Sequence, residues 1–370
     1  MIRVLFIARY RDPTMHRKVE LLAEQAELSL CYIYPRFWRD ELGTVEQTAP
    51  ADWTFRRAAV AMFREADPHR GLYRTLSFQM RRFRPDIVHA EEEPDSLAAL
   101  HIAFARRAFA PSARLILHTW QNVDRAMSTP AQWVLRATLR AADAVLCANR
   151  EAAALLGRRG FRQSVECLPA LGVDTRVFAP GVSRLDRHTF AVGYVGRLVR
   201  EKGIETLIDA VVRIDRPIQL VILGGGPHEA ALRARAAPLG DRVRFVGPMQ
   251  PAQVAQHMQH LDGLVLPSRA TQTWQEQFGR VLIEAMACRV PVVGSSCGAI
   301  PEVIGDAGLV FPEGDASALA ECLRDLIESP GRRAELAERG YARVMQHYTQ
   351  ERIADRTAEF YRWLSTQRKT

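Results

Sequence analysis

The sequence predicts an α/β protein with two doubly wound parallel sheets, one in each half of the chain. Three observations predict it. Short runs rich in Val, Ile and Leu alternate with helical patterns through the first half. Glycine and proline punctuation interrupts the alternation at Leu171-Gly172-Val173-Asp174 and at Phe178-Ala179-Pro180-Gly181, and the alternation restarts at Thr189. A length of 370 residues suffices for two domains, each with its own core.

In the first half the strand candidates are Arg3–Ala8, Leu28–Tyr34, Asp86–Ala90, Arg114–Thr119 and Asp143–Ala148, with helical patterns at Met15–Ala26, Ser96–Phe109 and Ala131–Ala142. Ligands bind such sheets beyond the carboxyl ends of the strands. Three features fall there: the loop Arg9–Thr14, the run Glu91-Glu92-Glu93-Pro94, and His118. Trp120, Gln121 and Asn122 follow the histidine and can line an acceptor side. The glutamate run has two readings, an acidic helix start that favours the helix dipole, or Glu92 and Glu93 facing an acceptor.

Residues 54–84 hold eight arginines, interleaved with Phe55, Met62, Phe63, Leu72, Tyr73, Leu76, Phe78, Met80 and Phe83. The pattern reads as a basic amphipathic helical region. Either it lies on an anionic membrane surface, or it is a helix pair with its aromatics on the sheet and its arginines in solvent. No nucleic-acid module accompanies the charge, so no nucleic-acid partner is expected.

The second half opens with a strand, a glycine turn carrying Arg197 and Lys202, and a helix from about Gly203. Cations at a strand end beside a helix start are placed to neutralise a diphosphate. A strand at Gln219–Leu223 leads into the run Gly224-Gly225-Gly226-Pro227, and a strand at Val243–Val246 ends on Gly247. Leu264–Pro267 delivers Ser268, and a loop carrying Glu276 enters the helix Gly279–Cys288, which holds Glu284. The strand Val290–Gly294, the turn Ser295-Ser296-Cys297-Gly298 and a helix with Pro301 near its first position follow. From Asp315 to Leu364 the chain is helical and charged, and its last helix is Tyr348–Leu364.

The spacing of Glu276 and Glu284 carries chemistry. Eight helical residues cover at most about 12 Å, so the two carboxylates can reach different ends of one elongated ligand. The turn after the strand offers backbone N–H groups that attract phosphate. Carboxylates suit sugar and ribose hydroxyls, and an anion pocket between them suits a diphosphate. The expected ligand is a nucleotide-sugar.

The stretch from Leu266 to Gly314 also resembles the retaining family-four glycosyltransferases (glycosyl transferases group 1) of the GT-B fold. Their mark is E-x7-E followed by EAMA, PVV and G-x-PE; from Glu276 through Glu302 this chain has E-x7-E, EAMA, PVV and, at Gly298–Glu302, G-x-x-PE. The G-R-x-x-x-x-K-G run at Gly196–Gly203 and the G-V-D-x-x-x-F junction at Gly172 are similar to the family's as well. The resemblance implies two Rossmann-like domains facing across a cleft, residues 1–178 for the acceptor and 179–349 for the donor. The helix 350–370 is then expected back on the first domain. It implies Glu284 on the ribose, Arg197 and Lys202 on the phosphates, Glu276 on the sugar hydroxyls and His118 near the transferred sugar. Further donor contacts are implied at Gly224, Gly247, Ser268, Phe278, Gly279, Gly298, Ala299 and Ile300.

The implied reaction moves a hexose, with retention, from a UDP- or GDP-sugar to a glycan, lipid-linked or small-molecule hydroxyl acceptor, in surface polysaccharide or glycoconjugate synthesis. A natural-product acceptor and a non-catalytic sugar-nucleotide-binding subunit are the alternatives. Two cations beside the diphosphate do the electrostatic work of a metal, so neither metal nor cofactor is expected. The chain departs from the family at Arg9–Thr14, where no glycine stands, at Gln277 and at Arg289. A nicotinamide oxidoreductase would need G-x-G-x-x-G after the first strand. A sugar phosphorylase with pyridoxal phosphate on a lysine finds little support among three lysines, Lys18, Lys202 and Lys369.

Six cysteines without a CxxC pair point to a reduced chain. Met1 runs straight into a strand, so no secretory leader is expected, and no apolar run reaches bilayer-spanning length. The expected location is cytoplasmic, with peripheral attachment to the inner face of the membrane if residues 54–84 contact lipid.

Overall fold

The computed structural model describes every residue except 11–12, 41–42, 48–52, 65–66, 68–69, 182–188 and 368–370. The chain divides into two compact units, Met1–Leu171 with Gln350–Thr370, and Gly172–Thr349.

The first unit runs β1 (Ile2–Ile7), α1 (Arg17–Ala23), β2 (Leu28–Pro35), β3 (Phe37–Asp40), β4 (Gly43–Glu46), β5 (Arg56–Val60), β6 (Met62–Phe63), β7 (Leu72–Tyr73), α2 (Leu76–Phe83) and β8 (Ile87–Ala90). It continues with α3 (Leu97–Phe109), β9 (Arg114–Thr119), α4 (Thr129–Ala141), β10 (Ala144–Cys147), α5 (Arg150–Arg158) and β11 (Ser164–Cys167). Seven strands form one sheet in the order β11-β10-β9-β8-β1-β2-β5. Every pairing in it is parallel, with Leu5 opposite both Cys31 and Val88.

Strand alternation sorts β1 between two faces. Leu5 and Ile7 pack with Leu76, Met80, Ile102 and Leu139 of the helices on one side. Val4 and Phe6 pack with Val19 and Leu22 of α1 and with Ile353 and Tyr361 of the terminal helix, Gln350–Thr366, on the other. Because both faces are covered, the central strands read as nearly unbroken apolar runs. Helix starts follow local chemistry: Ser96 caps α3 by accepting from Ala99 N (3.0 Å), and Asn149 caps α5 by accepting from Ala152 N (2.8 Å).

The helical reading of residues 54–84 needs correction. The described part mixes strand and helix: β5 at the edge of the large sheet, then the antiparallel pair β6–β7, with α2 alone helical. Residues 65–66 and 68–69 of this stretch lie outside the described residues. Six of the eight arginines, Arg64, Arg70, Arg74, Arg81, Arg82 and Arg84, are exposed, as the solvent-facing reading expects. Arg56 lies over the Phe83 ring, Arg57 over Trp53, Arg74 over Phe63 and Arg81 over Phe109. In these four it is the guanidinium itself that lies over the ring face.

The second unit runs β12 (Phe190–Val195), α6 (Ile204–Val212), β13 (Ile218–Leu223), α7 (Glu229–Ala236), β14 (Val243–Gly247), α8 (Pro251–Met258) and β15 (Gly263–Leu266). Then come α9 (Arg280–Ala287), β16 (Val292–Ser295), α10 (Ile300–Ile304), β17 (Leu309–Phe311), α11 (Ala316–Glu328) and α12 (Pro330–His347). Its six strands are all parallel, in the order β14-β13-β12-β15-β16-β17. One continuous core holds it together, with Val192, Leu220, Leu264 and Val292 of the sheet against Ile208, Met286 and Leu323 of the helices.

The segment Gly172–Phe178 packs with this second unit. Val173 N donates to Tyr348 O (2.8 Å), and Phe178 is buried in the unit's core. Among the described residues no helix is long and apolar enough to cross a membrane. None of the six cysteines forms a disulfide.

Candidate functional site

In the second unit the carboxyl ends of β12, β13, β15 and β16 carry the loops that the sequence singles out. After β12 the chain turns through Gly196 into Arg197. The buried Tyr194 hydroxyl donates to Arg197 O (2.8 Å) and fixes that turn. Burial raises the Tyr194 pKa well above its ordinary value, so the phenol stays a neutral donor. The glycine run after β13 braces the same loop, with Leu198 N donating to Gly225 O (3.0 Å) and His228 N to Leu198 O (3.0 Å). The Arg197 side chain is 73% exposed and forms a loose ion pair with Glu201 (3.6 Å). Gly224 N donates to Gly247 O (2.9 Å), which ties the glycine run to the end of β14.

Lys202 ends a short 3-10 turn, Arg200–Lys202, that Gly203 closes with φ 61°. A side chain at Gly203 would overlap the Pro267 carbonyl oxygen, so only glycine lets this turn lie against the end of β15. That contact brings Lys202 beside Ser268 and Glu276. Lys202 Nζ lies 2.6 Å from Glu276 Oε2, the Ser268 hydroxyl donates to the same oxygen at 2.7 Å, and the ammonium sits 4.9 Å from the centre of the Trp274 ring. Glu276 is 7% exposed. A buried carboxylate is expensive unless paired and hydrogen-bonded, and here it is both.

The Glu276 backbone is held as firmly. Ala299 N donates to Glu276 O (2.9 Å), and Gly298 at φ 54° lies so close that a Cβ would overlap that carbonyl oxygen. Of the three turn amides expected to meet a phosphate, that of Ala299 is therefore already committed, and Ile300 N donates to Cys297 O (3.3 Å). Helix α10 has only five residues. In the same turn, burial pushes the Cys297 thiol up to about 12, which leaves it inert.

Glu284 lies one helix turn beyond Arg280 and pairs with it at 2.9 Å, with 8% of the glutamate exposed. Gly279 starts α9 at φ 81°, and Phe278 meets the Tyr348 ring edge to face, 5.7 Å between centroids. The structure thus brings Lys202, Ser268, Glu276 and Gly298 into one linked constellation. It places Glu284 on a separate ion pair in the following helix.

In the first unit the carboxyl ends of β8 and β9 carry a buried polar cluster. The Lys18 ammonium, wholly buried on α1, donates to Glu91 Oε1 (2.7 Å) and to Ala170 O (3.0 Å), and the Tyr10 hydroxyl donates to Glu91 Oε2. His89 Nδ1 meets the Tyr361 hydroxyl at 2.6 Å. His118 is fully buried and stacks on Trp120 (4.6 Å, 22°), and neither of its ring nitrogens has a hydrogen-bond partner among the described residues. Burial first, and then the Lys18 charge, hold both imidazoles well below their ordinary pKa, so they stay neutral.

His89, Glu91 and His118 place one ligand atom each within 4.8 Å of one another, which invites a metal. Their surroundings do not fit one. Lys18 already neutralises the only carboxylate, so a divalent ion there would add two uncompensated charges to a dry interior.

The acidic-start reading of the glutamate run is corrected, since α3 begins at Leu97 behind its Ser96 cap, with no acidic residue in its first turn. Glu92 is 1% exposed and turned inward, accepting from Arg9 and from the Tyr73 hydroxyl (2.7 Å). Glu93 accepts from Thr119 Oγ1 (2.7 Å) and Trp120 N (2.8 Å), and burial lifts its carboxyl to about 7. Asn122 donates to Glu151 (3.1 Å). Arg11 of the first loop lies outside the described residues. Sequence reasoning missed Lys18, Tyr10, Tyr73 and His89, whose partners lie far along the chain.

Residues 189–329 match the sequence profile of the family described as glycosyl transferases group 1. A GDP-mannose-dependent monoacylated alpha-(1-6)-phosphatidylinositol monomannoside mannosyltransferase of Corynebacterium glutamicum is 31% identical over 53% of this chain and 56% of its own length. The chain thus spans about half the length of such curated relatives. Among solved structures, sucrose-phosphate synthase of Thermosynechococcus elongatus superposes with a TM-score of 0.76 at 22% identity, covering 98% of this chain and 99% of that one. HepE of Anabaena in complex with UDP gives 0.75 at 19% identity, covering 98% and 100%. Residues 189–329, within the second unit, are thus similar to the glycosyl transferases group 1, and the fold of the chain is that of the GT-B glycosyltransferases.

Proposed function

We propose that this protein is a retaining, metal-independent glycosyltransferase that moves a hexose from a nucleoside-diphosphate sugar to a hydroxyl acceptor in glycan or glycoconjugate synthesis. The observation that carries the reading is the Lys202–Glu276–Ser268 constellation, pinned by Gly203 and Gly298 inside the stretch similar to group 1. A partly buried cation and a buried carboxylate held side by side at strand ends can meet a phosphate and a sugar hydroxyl of one ligand.

In this reading Lys202 and Arg197 take the diphosphate, Glu284 the ribose and Glu276 the sugar. The bond from the anomeric carbon to phosphate oxygen breaks, and the bond to the acceptor oxygen forms on the same face. The departing phosphate takes the acceptor's proton, so no protein nucleophile is required. The two cations stabilise the charge that develops on the leaving group.

The first unit supplies the acceptor side in this proposal. The unpartnered nitrogens of His118 await a sugar hydroxyl, and Trp120 offers an aromatic platform. UDP and UDP-glucose complexes of a protein of like fold, and the GDP-mannose dependence of a relative, support a UDP- or GDP-sugar donor. A lipid-linked acceptor would suit an anionic inner membrane face. Phe63 and Phe78, both more than half exposed among the arginines of residues 54–84, would meet that surface.

A thermal-shift panel with UDP-, GDP-, ADP- and TDP-sugars tests the proposal, run beside Lys202→Met and Glu284→Ala. A donor at a hundred times its dissociation constant adds about 2.7 kcal/mol to stability. One selective shift in the wild type, lost in both variants, is the expected result. A folded wild type that responds to no nucleotide-sugar would refute the proposal.

A further inference from the structure

We propose that the first unit carries a second ligand site, a basic pocket between α4 and the end of α5 that takes a phosphate-bearing polyanion. The pocket has a volume of about 800 Å³ and is lined by six arginines, Arg125, Arg136, Arg140, Arg158, Arg159 and Arg162, over a floor that includes Leu135, Leu139 and Phe161. Asp124 is the only acidic residue in its lining.

Three of the arginines are already engaged. Arg125 pairs with Asp95 (2.8 Å), Arg159 with Asp124 (2.8 Å), and Arg162 donates to the carbonyls of Gly157 and Phe161. Arg136, Arg140 and Arg158 have no hydrogen-bond or ion-pair partner among the described residues, and all three are exposed. This chain has 42 acidic residues, yet among the described residues none is placed against these three. Here three stand together without one.

Their arrangement is also unfavourable by itself. Arg136 and Arg140 stand at i and i+4 on one face of α4, where like charges destabilise a helix. Arg158, at the end of α5, closes on them from the other side of the pocket. An anion relieves the repulsion, and guanidinium forks match phosphate oxygens bidentately. Several convergent arginines favour more than one phosphate, or a phosphate with a neighbouring anionic group.

The pocket is linked to the buried histidine cluster by chain alone. The loop from Trp120 to Ser128 leaves Trp120 stacked on His118 and delivers Asp124 and Arg125 to the pocket wall. No residue proposed to hold the sugar nucleotide lines the pocket, so a failure of one assignment leaves the other standing.

The phosphate can arrive on a soluble molecule or on a lipid headgroup. Trp133, 57% exposed one turn before Arg136, makes the second source worth its own arm. The test compares wild type with Arg136→Ser/Arg140→Ser and with Arg213→Ser/Arg216→Ser, which removes equal charge from the second unit. Sodium tripolyphosphate is titrated by calorimetry at low ionic strength, and sedimentation with phosphatidylglycerol-rich vesicles is measured in parallel. Circular dichroism melts check that each variant is folded.

Each charge-assisted contact to phosphate is worth about tenfold in affinity. The pocket variant is therefore expected to lose at least about tenfold, while the second-unit variant keeps wild-type binding. If only vesicles bind, and the pocket variant alone releases them, the phosphate belongs to a lipid headgroup and the assignment stands. Equal losses in both variants, losses in neither, or no binding of either probe by the wild type would overturn it.

Discussion

Lys18→Met tests whether the buried polar cluster of the first unit works as the geometry implies. The wild-type ammonium and the Glu91 carboxylate are both essentially without solvent, 2.7 Å apart, and Lys18 also holds the Ala170 carbonyl. Methionine keeps the volume and removes the charge. It leaves a carboxylate with only the Tyr10 hydroxyl, far from water. Breaking a buried pair from one side costs about 3–5 kcal/mol, which for a unit of this size lowers the midpoint by roughly 6–20 °C.

The double variant Lys18→Met/Glu91→Gln removes both charges and keeps an acceptor for Tyr10. It is expected to recover all but about 1–2 kcal/mol, the residue being the orphaned Ala170 carbonyl. Urea unfolding at pH 7 of wild type, Lys18→Met, Glu91→Gln and the double variant, followed by tryptophan fluorescence, measures all three differences in one cycle. A single variant that loses less than about 1 kcal/mol, or a double variant whose loss equals the sum of the singles, would refute the reasoning.

Three further outcomes follow from particular contacts. Gly298→Ala carries the left-handed backbone penalty of about 1–2 kcal/mol and also displaces the Glu276 carbonyl. Gly160→Ala, at φ 86° with no atom within 4 Å of the added carbon, carries the penalty alone. Calorimetric donor titration should therefore weaken for Gly298→Ala and not for Gly160→Ala. Burial lifts the Glu93 carboxyl to about 7 from its ordinary 4.5, so the folded state holds more protons than the unfolded one between those values. Stability is then expected to fall as pH rises from about 4.5 to 7, by on the order of 1–3 kcal/mol, and Glu93→Gln should flatten that slope in urea melts. Tyr361→Ala opens a cavity under the terminal helix and unpairs His89, at a cost of about 3–5 kcal/mol. Scanning calorimetry should show that loss in the first unit's transition only.

How much of this was legible in the sequence depended on how local each signal was. Arg114–Thr119 emerged with the expected bounds, because a central parallel strand buried on both faces writes a continuous apolar run. The helix expected at Gly279–Cys288 appears as Arg280–Ala287, its start set by Gly279. The stretch 54–84 misled because its mixture of arginines and aromatics was read with a helical period throughout, whereas Arg56 and Arg57 sit in β5 on an edge strand, where charge blunts unwanted pairing.

The second-unit site was legible as a motif, but its linkage was not. No local pattern says that Lys202 and Glu276, 74 residues apart, share an ion pair, or that Ala299 N is already committed to the Glu276 carbonyl. Lys18 left one trace. It is one of three lysines in a chain that otherwise uses arginine, and a buried site that needs a compact ammonium rather than a planar fork explains the choice.

The central claim is that this chain cleaves the bond between sugar and diphosphate. The most direct measurement is nucleoside diphosphate release from the donor that the binding panel selects, followed by coupled assay for wild type and Lys202→Met with a panel of hydroxyl acceptors. The account predicts acceptor-dependent release by the wild type, reduced by about two to three orders of magnitude in the variant, as expected when a leaving-group cation is lost. A wild type that binds the donor yet releases no nucleotide with any acceptor, or a Lys202→Met variant as fast as wild type, would contradict it.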